Sequence, residues 1–98
     1  MSGSDWIEHS REAGRLMSQG YAVEAVAIYQ KIARSQPRVP EVHNNLAVAL
    51  KASGSVKEAV KSYRKAIKIN PEYVIARKNL ARALHQLNRF EEALEQFS

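Results

Sequence analysis

Alanine stands at positions 25, 59 and 93, and much of the chain repeats around those three at a spacing of 34. Ala13, Ala47 and Ala81 keep the same step, as do Leu16, Leu50 and Leu84. Tyr29, Tyr63 and Phe97 follow it, and so do Pro37 and Pro71. Gly20 matches Gly54, with Asn88 in the third place, and Glu24, Glu58 and Glu92 precede the alanines each time. A fixed period of that length means one supersecondary unit stacked on copies of itself. Such an array presents a surface before it presents a chemical pocket, so the chain reads first as a binding scaffold.

Spacing inside the period defines the unit. In the second copy, Val42, Leu46, Ala47, Ala49 and Leu50 follow the i, i+4, i+7 pattern of an amphipathic helix. Ser53-Gly54 interrupts it, because glycine adopts the positive φ that ends a helix. Ser55 stands three residues before Glu58, the spacing of a capping box. The helix that follows carries Val56, Ala59, Val60, Tyr63, Ala66 and Ile67 on one side. Asn70-Pro71 closes it, since proline cannot continue a helix interior and disfavours helix in the residue before it. Each copy is therefore helix, tight turn, helix, connector. Helices are expected near 5–18, 22–35, 40–52, 56–69, 74–86 and 90–97.

The run Asn45-Leu46-Ala47, then Leu50, Gly54, Glu58-Ala59, Tyr63, Lys65-Ala66 and Pro71, resembles the tetratricopeptide repeat. The third copy repeats Asn79-Leu80-Ala81, Leu84, Phe90, Glu92-Ala93 and Phe97, and the first recovers Ala13, Leu16, Gly20, Ala25, Tyr29 and Pro37. The resemblance implies an all-α, right-handed superhelical solenoid of antiparallel helix pairs. Its repeats would cover about 6–39, 40–73 and 74–98, within a domain spanning 5–98. Residues 1–4, Met-Ser-Gly-Ser, read as a disordered leader or expression scar. The third copy stops partway along its second helix, roughly two turns short by analogy with the others. Leu80, Leu84, Leu87, Leu94 and Phe97 would then lack a covering helix. A module of a larger protein is the favoured explanation, and self-association through those residues the alternative.

Composition fits. With 98 residues and 45% hydrophobic content the chain can bury one small core, and no apolar run approaches the ~20 residues of a membrane span. Cysteine is absent, which removes disulfide and thiolate chemistry. A cytoplasmic setting is expected.

Charge is unevenly distributed. Residues 1–37 balance, and residues 38–98 supply the whole net +5. Lys57, Lys61, Arg64, Lys65 and Lys68 form a row on the second helix of copy two, the convex side if the resemblance holds. Without interleaved aromatics to stack bases, that row reads as a solvated face, and nucleic acid is disfavoured as a partner. Lys51, Lys78, Arg82 and His85 fall on first helices, which the resemblance places along a concave groove, where shape focuses their field. Asn45 and Asn79 occupy a position at which family members can build an asparagine ladder, and a side-chain amide both donates and accepts toward a peptide backbone. The expected binding residues are Asn45, Val48, Lys51, Lys78, Asn79, Arg82 and His85, holding an acidic peptide or partner segment. Gly14, also on the groove side, would let a ligand backbone come close. The carboxylate clamp of chaperone-binding members is not reproduced: the corresponding positions are Ser10, Gly14, Asn45, Ile75 and Asn79, and only Asn45 matches.

No enzyme is expected, and no cofactor or metal. His9 and His43 stand 34 apart at equivalent positions, a repeat's width from each other, so packing between helices is the expectation for both. No metal-protease helix motif, glycine-rich phosphate loop or serine triad pattern is present. Glu8, His9 and Glu12 read as a surface ion pair. Trp6 is expected to cap the stack over Ala22 and Ala25.

Overall fold

The computed structural model describes residues 5–97, with side chains through residue 91. The expected leader at 1–4, and the side chains of Leu94 and Phe97, lie outside the described residues. Five helices follow one another: α1 (Asp5–Ser18), α2 (Ala22–Ser35), α3 (Pro40–Ala52), α4 (Val56–Ile69) and α5 (Val74–Phe97). The first four have the boundaries that the sequence pattern predicts. Each stops for a local reason. Gly20 and Gly54 take φ of +87° and +94°. There the chain closes back on the finished helix, with Tyr21 N–H donating to Leu16 O and Ser55 N–H to Leu50 O, both at 2.8 Å. That is the glycine-terminated helix end, in which the reversed residue satisfies carbonyls the helix leaves open. Pro40 occupies the first turn of α3, where a missing N–H costs nothing.

Packing runs from neighbour to neighbour: α1 on α2, α2 on α3, α3 on α4, α4 on α5, with α5 also touching α3. The result is elongated, with extents of 50 × 30 × 19 Å and a radius of gyration of 14.1 Å, against about 13 Å for a compact chain of this size. Fully buried alanines (Ala13, Ala25, Ala47, Ala49, Ala59) allow the helices to approach closely. Ile32, Val42 and Tyr63, each 1% exposed, fill the wider gaps between them. Full burial of a large apolar side chain contributes about 1.5–3 kcal/mol, and such residues set the order of the stack.

Two expectations are corrected. Ser55 does not cap α4 with its side chain. Its backbone sits at φ −90°, ψ 63°, away from the extended geometry that aims a hydroxyl at the first turn. The second concerns the third copy, where the expected break between residues 86 and 90 is absent and α5 runs unbroken for 24 residues. The reason is local. Where copies one and two carry glycine, this copy has Asn88, flanked by Leu87 and Arg89, which favour helix. Among the described residues, no non-glycine has a positive φ.

Candidate partner-binding face

α3 and α5 lie side by side and are joined by a polar contact: Asn79 Nδ2 donates to Asn44 Oδ1 at 3.3 Å. Asn44 is buried and also hydrogen-bonds the Tyr73 side chain in the connector before α5. Burial raises the Tyr73 pKa, with the Glu41 carboxylate adding to the effect and the Asn44 bond opposing it. Asn44 was not evident from the repeat. Its counterparts one period away are Ser10 and Lys78, so no amide recurs at that place. Ser10 does hydrogen-bond Tyr29, so the position ties a first helix to a tyrosine in both copies. The two tyrosines are not equivalent, since one period from Tyr29 stands Tyr63.

The expected binding residues fall on this pair of helices. On α3, Asn45 and Lys51 are half-buried and Val48 is 37% exposed. On α5, Lys78, Arg82 and His85 are exposed and Asn79 is half-buried. Ile75, 59% exposed, adds an apolar side chain near the start of α5. Asn79 uses one amide hydrogen on Asn44, so its remaining groups are what a ligand could meet. The one ion pair among the described residues is Arg11 with Glu8, at 3.5 Å on the surface of α1. Lys51, Lys78 and Arg82 therefore keep their charge uncompensated by a contact carboxylate. The two cavities described below are lined by other residues.

Residues singled out for other reasons divide. His43 is buried as expected, its Nε2–H donating to the Pro37 carbonyl at 2.8 Å. A carbonyl only accepts, which fixes the proton on Nε2 and leaves Nδ1 as an acceptor. That nitrogen has no hydrogen-bond partner among the described residues. His9 does not pack between helices. It is exposed on α1, with Nδ1 bonded to the Asp5 carbonyl at 2.9 Å. The difference is positional, since α3 is flanked by α2, α4 and α5, whereas α1 packs on α2. The surface pair at the N-terminal helix joins Glu8 to Arg11 in place of His9. Gly14 faces α2: a Cβ there would stand 3.9 Å from the Tyr29 hydroxyl. Trp6 packs partly against the core.

Lys57, Lys61, Arg64, Lys65 and Lys68 are all exposed on α4. One cavity of about 310 Å³ lies between Pro37, His43 and the end of α4 at Lys65, Lys68 and Ile69. Another, of about 340 Å³, lies between the start of α4 and Leu87 and Phe90 of α5. Among the described residues no cluster of His, Cys, Asp and Glu could hold a metal ion, and no helix is long and apolar enough to cross a membrane.

Comparison with known proteins places this architecture. The family model described as TPR repeat matches residues 49–88. No curated protein matches the chain. Among solved structures, a double mutant of MamA RS-1 is similar at a TM-score of 0.81 and 22% identity, over 97% of this chain and 53% of that one. MamA 41-end from Desulfovibrio magneticus RS-1 gives 0.81 and 22%, over 97% and 54%. A further MamA mutant gives 0.76 and 26%, over 96% and 52%. The chain thus spans about half the length of these structures. The likeness establishes the shared fold.

Proposed function

Because a model described as TPR repeat matches residues 49–88 and the whole chain follows the same period, we propose that it is a protein-interaction scaffold holding an acidic peptide or partner segment along the α3–α5 face. One observation carries the reading. Lys78 and Arg82 stand exposed and without a contact carboxylate on α5, which also exposes Ile75, while α3, joined to it through Asn79 and Asn44, exposes Val48. In this reading Asn45 and the free groups of Asn79 bond the peptide backbone. Val48 supplies apolar contact, Lys51, Lys78 and Arg82 pair with acidic side chains, and His85 hydrogen-bonds at the rim. The face performs recognition and no catalysis, in a cytoplasmic protein of which this array is one module. The cations of α4 remain a solvated surface.

The test uses a fluorescein-labelled peptide of alternating glutamate and leucine as probe, with anisotropy as the readout. The expected result is saturable binding that weakens at least tenfold when Lys78 and Arg82 are both changed to Glu. It should also weaken as salt shortens the screening length from about 30 Å at 0.01 M to about 8 Å at 0.15 M. Equal affinity for the native chain and the Lys78→Glu/Arg82→Glu variant contradicts the proposal.

A further inference from the structure

The straight course of α5 leaves a specific gap. In the second copy, Leu46 and Leu50 are 9% and 5% exposed because α4 turns back and covers them. Their counterparts in the third copy, Leu80 and Leu84, are only half-buried, as is Leu87. Val56, which begins the covering helix of copy two, is 5% exposed; its counterpart Phe90 is 55% exposed. The cavity of about 340 Å³ opens at this place, between Val56 and Lys57 on α4 and Leu87 and Phe90 on α5. A helix is wanted there, and the repeat specifies its sequence. Residues 90, 93, 94 and 97 carry the apolar pattern of residues 56, 59, 60 and 63. Within one chain that segment does not turn back onto the gap, because it continues α5 without a break.

We propose that the gap is filled by residues 90–97 of a second copy of this chain, in a two-fold symmetric, segment-swapped dimer. Two α5 helices cross antiparallel near Asn88, and each places its last turns against residues 79–87 of the other. Antiparallel pairing preserves the direction in which α4 covers α3, so the contacts of copy two are reproduced between chains. A two-fold interface of this kind closes on itself and stops at two subunits. Charge supports the same occupant. Residues 91–97 contain Glu91, Glu92 and Glu95 and no cation, while the bordering helices expose Lys57, Lys61 and Arg82 against one carboxylate, Glu58, which lines the cavity beside Lys57. An acidic segment entering this mostly basic border gains net attraction.

Asn88 is the hinge on which the proposal turns. Glycine at this place in copies one and two takes positive φ and reverses the chain. Restoring glycine should let residues 90–97 fold back on their own helix and leave a monomer. The experiment is light scattering on the 98-residue chain across a concentration series from micromolar to millimolar, with helical content followed by circular dichroism. The native chain, of 11.0 kDa, is expected to scatter at twice that mass. Asn88→Ala, which keeps the helix straight, should hold the dimer. Asn88→Gly should raise the dissociation constant at least tenfold while helical content is retained. A native chain that stays monomeric throughout overturns the proposal, whether the gap is then filled by its own residues or by a different protein. So does an Asn88→Gly dimer as tight as the native one, which would put association on another surface.

Discussion

Gly14 and Gly54 are both glycines at helix surfaces, yet the fold asks different things of them. Gly54 sits at φ +94° in open space, with nothing within 4 Å of an added Cβ. Its requirement is purely conformational, because an L side chain in that region costs about 1–2 kcal/mol. Gly14 has ordinary helical geometry, and a Cβ there meets only the Tyr29 hydroxyl at 3.9 Å, a comfortable distance. Urea denaturation should therefore separate the two substitutions in sign. Gly54→Ala is expected to destabilise by about 1–2 kcal/mol, and Gly14→Ala to stabilise by about 0.5–1 kcal/mol through lower unfolded-state entropy. Equal shifts for the two would contradict this account of the turns. A third residue carries a polar tie. Asn44→Ala removes the acceptor for Asn79 and the partner of Tyr73 together. Asn79 and Tyr73 are half-buried and can turn to water, so the same denaturation assay should register a loss of about 0.5–1.5 kcal/mol per hydrogen bond removed. The alanine pairs 13/47 and 25/59 could be read from the sequence because close helix approach demands the same small residue in both copies, whereas Ala81, which lacks a covering helix, is exposed. Asn44 could not, since its own counterparts one period away are Ser10 and Lys78, even though its partner Asn79 recurs as Asn45.

At the level of helices, the boundaries of α1 to α4 were legible because glycine and proline mark each end. α5 escaped the pattern because the residue at its expected break, Asn88, permits reversal without compelling it. The matching periodicity on either side of position 88 fits both a hairpin and a straight helix, and only the backbone distinguishes them. Tyr29 and Tyr63 are buried within the core between helices. Burial raises the pKa of Tyr29 and of Tyr63, with Ser10 opposing the shift at Tyr29; Tyr73 is raised as described above. A phenol whose folded pKa is raised stabilises the fold fully below its unfolded pKa of about 10, and the contribution disappears as pH rises through the folded value. The unfolded chain ionises first, so alkali favours unfolding. Helical circular dichroism should hold to about pH 10 and fall above it, together with a rise in tyrosinate absorbance at 295 nm. Full ionisation of these tyrosines below pH 10, with the helices intact, would contradict their placement between helices.

Across the whole molecule, neighbour-to-neighbour packing gives an elongated body. The fold could be read almost completely from a period of 34, since a stack repeats its own instructions. The site could be read only in part. Val48, Lys78, Arg82 and His85 were legible as exposed positions on first helices. That Asn79 divides its amide between the surface and Asn44 was not, because the contact joins two repeats. The central claim is that first helices, and in particular α3 and α5, form the recognition face. Two-dimensional amide NMR of the labelled chain, titrated with the glutamate–leucine peptide, tests it most directly. Shift changes should concentrate at Asn45, Val48, Lys51, Lys78, Asn79, Arg82 and His85, with α4 little changed. Changes confined to the lysine row of α4, or none up to millimolar peptide, would contradict the account.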